Sequence, residues 1–292
     1  MFYKTILIIF TLLFFGCSSK IDNNKELYLV VNSWIGYTPL FYLREIGTLK
    51  KLNIKLIPTI SLDQSSNIFE VDKADMIAAT QHEYNYLKQA TNDILPIILL
   101  DQSNGGDMIL SNKSLLELKK AKKIYAYLEI DSINNELLKS FIKKYGLDED
   151  KMKFINIDQL QISKLKNRYK KPILIVTYNP YDKELKRKGF KELASTKNSG
   201  SLVVIDALFI KKSLYLKEKE RLKKLKILID KAIGEIKNNP KKVYKYVKVY
   251  LNDISYEDFL DSLKLIKWIN KNRTKDLDKK LKSLGFGETI LK

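Results

Sequence analysis

Between Leu27 and Ile210, apolar runs of strand length alternate with amphipathic stretches of helical length, and this alternation limits the possible folds more than any other feature. The runs are Leu27–Asn32, Ile54–Pro58, Asp75–Ala79, Ile94–Leu100, Asp107–Leu110, Lys123–Leu128, Lys153–Ile157, Ile173–Thr177 and Leu202–Ile210. Helical spacing fills Pro39–Lys50, Asn134–Tyr145 and Asp182–Lys188 between them. Thr38-Pro39 reads as a helix start, a capping side chain followed by proline in the first turn. Gly47 and Gly146 fall where helices should end. Such alternation predicts an α/β chain with mostly parallel sheets, whose ligands lie beyond the carboxyl ends of the strands. From Leu214 to Lys292 the pattern is helical almost throughout, with breaks at Pro240 and Gly285. The 292 residues are long for one core and suit two lobes.

The N-terminus carries an export signal, MFYKTILIIFTLLFFGC. Lys4 supplies the positive end and Thr5–Phe15 an unbroken apolar core. As a helix that core would rise about 16 Å against a hydrocarbon thickness of about 30 Å, too short to span. Gly16 precedes the chain's single cysteine, Cys17, and Ser18, Ser19 and Lys20 follow. This segment resembles a bacterial lipoprotein signal with its lipobox, although Phe14 and Phe15 are bulkier than the residues usual there. Cleavage after residue 16 would leave Cys17 to carry the lipid, with residues 17–25 as a linker. No later stretch approaches the length of a transmembrane helix.

The formal charge of +19 raises the question of nucleic acid. Five of the 53 basic residues are arginine, whereas base-edge recognition favours arginine. The lysines are spread from Lys50 to Lys292 and interleaved with acids, so they read as a solvated surface rather than a nucleic-acid face. One histidine and one cysteine exclude histidine-rich metal sites, iron–sulfur clusters and Cys/His proteases, and no cofactor or metal is expected.

The loops at the strand ends carry the chemistry. Asn32-Ser33-Trp34-Ile35-Gly36-Tyr37-Thr38 places two aromatics, able to stack on a flat ligand, before a helix whose free amides could receive an anion. Thr80-Gln81-His82 follows another strand. Asp101-Gln102-Ser103-Asn104-Gly105-Gly106-Asp107 links two apolar strands, and its paired glycines permit a close backbone approach or a hinge. Thr177-Tyr178-Asn179-Pro180-Tyr181-Asp182 runs from strand through turn to helix, Asp206 lies inside an apolar run, and Glu129 ends a strand. Each feature also has a purely structural reading: loop-covering aromatics, a hydrogen-bonded histidine, a plain turn, an acid paired in the core.

Taken together, Trp34-Ile35-Gly36-Tyr37-Thr38-Pro39-Leu40, Ala74-Asp75-Met76 with Thr80, Asp101–Asp107, Asn179-Pro180-Tyr181 and Val204–Leu208 resemble the substrate-binding proteins of ABC importers of the nitrate/sulfonate/taurine and thiamine-precursor type. The resemblance runs from about Leu27 to Leu214. It implies a two-lobed α/β periplasmic binding protein of type II with a helical C-terminal tail. One lobe would hold residues 26–107 and 206–292, the other 108–205, hinged at Gly105 and Gly106 and near Asp206. A small solute would close the cleft, and the closed form would dock on a permease and its ATPase. Trp34, Gly36 and Tyr37 would wall the cleft, with Thr80, Gln81, His82, Ser103, Asn104, Asp107 and Asp206 from the same side and hinge, and Glu129, Asn179 and Tyr181 facing them. Asn179 stands where the family commonly has an acid, which speaks against a cationic group at that spot. The protein would be a monomer, exported and lipid-anchored on the periplasmic side of a bacterial membrane.

Aromatics around the cleft favour a flat heterocycle such as a pyrimidine as ligand. The lack of arginine in these motifs counts against a bidentate sulfonate or nitrate clamp, although helix N-termini leave an anion open. Replacing Trp34 by alanine is expected to weaken binding at little cost in stability. Enzymes that resemble these binding proteins use a cysteine cluster or work in the cytoplasm, so a catalytic role is not expected. The alternative is a ligand-sensing or scaffold lipoprotein of the same fold without a transport partner.

Overall fold

The computed structural model describes residues 25–168, 170–198, 202–271, 274–286 and 290–291. The export signal, Cys17 and the linker up to residue 24 lie outside the described residues. Among the described residues eleven strands form two sheets. They are β1 (Leu27–Asn32), β2 (Ile54–Thr59), β3 (Met76–Thr80), β4 (Leu95–Ser103), β5 (Asp107–Ser111), β6 (Ile124–Leu128), β7 (Met152–Asn156), β8 (Ile173–Tyr178), β9 (Lys191–Ser195), β10 (Ile205–Ile210) and β11 (Ile266–Trp268).

The first sheet has the order β11-β4-β10-β3-β1-β2, and the second β7-β6-β8-β5-β9. β1 runs parallel to β2 and β3, while β10 returns antiparallel between β3 and β4. Helices Thr38–Glu45 and Lys212–Asn238 cover one face of the first sheet through Leu40, Phe41, Leu222 and Leu225. Phe69, Tyr84, Leu281 and Phe286 fill the other face, with Tyr84 stacked on Phe209 at 4.9 Å. The second sheet is packed by Leu137, Leu138 and Phe141 of helix Ile133–Tyr145 on one side and by Ile162 and Leu185 on the other. The chain passes from the first sheet to the second through Asn104-Gly105-Gly106, and Gly105 has φ +111°, a conformation that favours glycine. It returns between β9 and β10.

The strand runs read from the sequence all appear, with ends shifted by a few residues. The last begins at Ile205 rather than Leu202, because the Gln81 side chain takes the backbone ahead of the ladder: its amide donates to Val203 O (2.6 Å) and accepts from Ile205 N (2.8 Å). Two expectations need correction. The helix start at Thr38 is not a side-chain cap, since a 3₁₀ turn (Ile35–Tyr37) precedes it and the Thr38 hydroxyl donates back to Ile35 O at 2.6 Å. The expected helix Pro39–Lys50 is split at Gly47, whose φ of +71° starts the short helix Thr48–Lys51. The C-terminal region is helical almost throughout, as expected, apart from β11, which pairs with β4 and extends the first sheet.

Candidate functional site

The site forms where the carboxyl ends of β1, β3 and β8 meet β10 and the start of β5. In the first sheet, Asp206 stands opposite Thr80 of β3 on one side and Asp101 of β4 on the other. In the second, Asp107 of β5 stands opposite Tyr178 of β8. Between these edges lies a small cavity lined by Asn32, Trp34, Tyr37, Leu62, Thr80, Asp107, Tyr178 and Asp206.

The strand-to-helix loop after β1 supplies the aromatic wall. The Trp34 indole N–H donates to Asp101 Oδ1 at 3.3 Å, and the Tyr37 hydroxyl donates to Asp206 Oδ1 at 2.5 Å. Trp34 meets Tyr178 edge-on at 6.0 Å, and Tyr178 meets Tyr181 edge-on at 5.5 Å. Gly36 and Gly106 are required by close approach. A β-carbon on Gly36 would lie 1.9 Å from Asp101 Oδ2, and one on Gly106 would lie 2.3 Å from the Trp34 ring.

Among the described residues no lysine or arginine lines this cavity, and its carboxyl groups are tuned by burial. Burial pushes Asp107 up to about 7, against a hydrogen bond from Ser103. Burial also holds Asp101 and Asp206 well above the usual carboxylate range, and each is opposed by the bond it accepts, from Trp34 and from Tyr37. Glu129 is pushed to about 8 by burial and by the charge of Glu83. The oxygens Asp107 Oδ2 and Asn32 Oδ1 are buried and meet no hydrogen-bond donor.

Direct bonds tie the two sheets together across the cavity. Asn32 Nδ2 donates to the Tyr178 hydroxyl at 3.1 Å, and the Tyr181 hydroxyl donates to Ile60 O at 3.1 Å. Glu83 does double duty at two helix N-termini. One carboxylate oxygen accepts Thr80 N at 3.1 Å and the Thr80 hydroxyl, closing a capping box on helix Gln81–Thr91. The other accepts Ile133 N at 2.9 Å, the first residue of helix Ile133–Tyr145 beside the second sheet. These bonds bring the two sheets' edges into direct contact.

No family model matches the chain, and no curated protein matches it. Solved structures do. The ligand-binding component of an ABC-type import system from Staphylococcus aureus, solved with zinc bound, superposes with TM-score 0.69 at 11% identity over 89% of this chain and 90% of that one. The fold is that of a periplasmic binding protein. The alkanesulfonate-binding protein of Xanthomonas axonopodis pv. citri, bound to MOPS, gives 0.69 at 12% identity over 90% and 94% of the two chains. The nitrate-binding protein of Synechocystis gives 0.66 at 10% identity over 87% and 74%. These structures are solute-binding proteins rather than enzymes, and no described helix here is long and apolar enough to cross a membrane.

Within this periplasmic binding protein fold, Trp34, Tyr37, Thr80, Asp107 and Asp206 of the expected site converge on one cavity, with Gly36 beneath Asp101. Ser103 sits at the crossover, bonded to Thr196 at 2.7 Å and accepting Asp107 N at 3.1 Å. The remaining expected residues lie off the cavity wall. The Gln81 amide is spent at both ends on the backbone of residues 203–205. His82 is half-buried on the helix beyond Thr80, and Asn104 N pairs with Leu265 O at 2.8 Å. Asn179 donates from Nδ2 to Asp182 at 3.0 Å, and from its backbone to Gly106 O at 2.9 Å. Tyr181 supports Tyr178 from behind. Glu129 lines a wider outer cavity of about 410 Å³ instead, with Ile60, Ser61, Asp63, Gln64 and Asp158. Sequence reasoning missed Asn32, Leu62, Glu83, Asp101 and Tyr178 as site residues. Asn32 and Tyr178 were within reach, since each is the last residue of its strand.

Trp34 also differs from expectation. It is 4% exposed, belongs to the core cluster that also holds Tyr178 and Ile133, and packs on Gly106, so it is a structural residue as well as a wall.

Proposed function

We propose that this chain is the extracytoplasmic solute-binding lipoprotein of an ABC importer, of the nitrate/sulfonate/taurine and thiamine-precursor type. It would capture a small solute between lobes 26–107 plus 206–292 and 108–205, and hand it to a permease and its ATPase. The observation that carries this reading is one cavity walled by residues of both sheets and closed by the Asn32–Tyr178, Tyr181–Ile60 and Glu83–Ile133 bonds. A ligand touching both walls is bound fully only when the lobes meet, which couples binding to closure. Trp34, Tyr37 and Tyr178 supply flat apolar walls suited to a planar ring such as a pyrimidine. Export and lipidation at Cys17 would tether the monomeric body to the membrane face.

A thermal-shift screen of the full-length protein over pyrimidines, other heterocycles, sulfonates, nitrate and amino acids tests the binding function. A ligand at 100 times its Kd should add about 2.7 kcal/mol of stability. A screen in which no small molecule raises the melting temperature would contradict the assignment. Cys17→Ser should release the protein from the membrane fraction, and unchanged retention would contradict the anchor.

A further inference from the structure

The first strand and the long helix Lys212–Asn238 both begin at one edge of the first sheet. Leu27 opens β1, and Ile210, which closes β10 just ahead of the helix, stands opposite Met76 at the opening of β3. Asn32, Thr80 and Asp206 of the site lie at the other ends of these strands. The chain from the N-terminus therefore arrives away from the site, and the long helix holds it there: Arg221 donates to Lys25 O at 2.7 Å.

The outward face of that helix carries a pattern. Lys212, Leu216, Lys219, Lys223, Ile227 and Lys231 follow at intervals of three or four residues, so they share one stripe about 28 Å long. All six are exposed, Leu216 to 79% and Ile227 to 54%. Glu220, the acid among them, is paired with Lys223 at 2.7 Å. On the flank, Lys51, Lys217 and Lys224 line a surface hollow with Arg221. The inward face is spent in the core through Leu222, Leu225 and Ile229. Lysines bracketing outward apolar side chains suit a membrane interface, where ammonium groups reach headgroup phosphates and the apolar side chains enter the acyl boundary.

Resting on the tether at Cys17 proposed above, we infer that the stripe from Lys212 to Lys231 is a docking face for an anionic lipid bilayer. Residues 17–24 extend to about 28 Å at most, so a lipid on Cys17 keeps the stripe within reach of the headgroups. Charge draws the face down and Leu216 and Ile227 insert, while the site residues stay at the strand ends away from the tether.

Cosedimentation of full-length Cys17→Ser, which carries no lipid, tests the face apart from the tether. The probes are vesicles of phosphatidylcholine alone, which report what the N-terminal apolar segment contributes, and vesicles with about one-third phosphatidylglycerol. At about 50 mM salt the anionic vesicles should bind about tenfold tighter or more, and at about 300 mM that preference should vanish. A lysine at an anionic surface contributes about fivefold, so changing Lys212, Lys219, Lys223 and Lys231 together to glutamine should weaken anionic binding about 30-fold or more. Leu216→Ser with Ile227→Ser should weaken it about tenfold. These side chains are exposed, so the melting temperature should not move. Glutamine at Lys119, Lys120, Lys139 and Lys143, exposed beside the second sheet, removes the same charge and should change binding less than about threefold. An equal loss in that control, equal binding to both vesicles, or duplex DNA competing as tightly as the anionic vesicles would overturn the inference and leave the tether standing. Retention of Cys17→Ser in cell membranes through a high-salt wash would instead remove the tether and the inference with it.

Discussion

Replacing Glu83 with alanine removes a carboxylate that meets the N-termini of two helices, one beside each sheet, and the two losses can be separated. Within the first lobe the change breaks the capping box with Thr80, which costs about 1 kcal/mol of stability. Between the lobes it removes the bond from Ile133 N, a charge-assisted hydrogen bond at 2.9 Å. Bonds to charged groups contribute about 1.5–3 kcal/mol, and on the proposed two-lobe reading this one exists only when the lobes are closed. The ratio of closed to open protein should therefore fall about 10- to 150-fold, and the apparent affinity for any ligand of the closed state should fall as the closed fraction does. Hydrogen exchange on residues 130–137 reads the loss at Ile133, and small-angle scattering reads the opening. Glu83→Gln keeps an acceptor oxygen without the charge and should fall between wild type and Glu83→Ala. Unchanged exchange at Ile133 together with unchanged scattering in Glu83→Ala would refute the latch.

Other consequences are equally open to measurement. The folded-state pKa of Asp107 is raised to about 7, so its contribution to stability is complete below an unfolded value near 4 and is lost as pH rises through 7. From pH 5 to pH 8 wild type should lose about 3 kcal/mol relative to Asp107→Asn in urea unfolding, and parallel pH profiles would contradict a buried Asp107. Trp34→Ala should cost about 3–5 kcal/mol in the unliganded protein as well as weakening binding, and a cost below 1 kcal/mol would place the indole outside the core. Gly36→Ala should displace the Asp101 carboxylate and quench or shift Trp34 fluorescence, because the new methyl would overlap both side chains. A spectrum identical to wild type would show that the loop absorbs the methyl without touching Trp34.

The parallel strands were legible because they are buried on both faces and read as continuous apolar runs, as in Leu29-Val30-Val31 and Ile173–Val176. β11 was not, since three residues are too few to show alternation, and β9, Lys-Glu-Leu-Ala-Ser, is largely polar. Asp101 escaped notice as a site residue because an acid after an apolar run reads as the end of a strand, whereas β4 continues through it to Ser103. The pattern Thr80…Glu83 does signal a capping box, but the second helix that Glu83 holds begins 50 residues further along the chain. Gln81 and Asn179 carry the right chemistry for a ligand, and only the fold shows that backbone groups and Asp182 engage them first. Local pattern found the strand ends; which side chains share the cavity depends on how the two sheets face each other.

Spin labels at Lys51 in the first lobe and Lys119 in the second, both on exposed helix surface, read the movement of one sheet against the other directly. With the small-molecule fraction of a cell extract added to the full-length protein, the distance distribution should gain or grow a single shorter component. Asp107→Asn should lose that component while its unliganded distribution stays the same. One distance, indifferent to both the small molecules and the substitution, would contradict a cleft that closes on a solute.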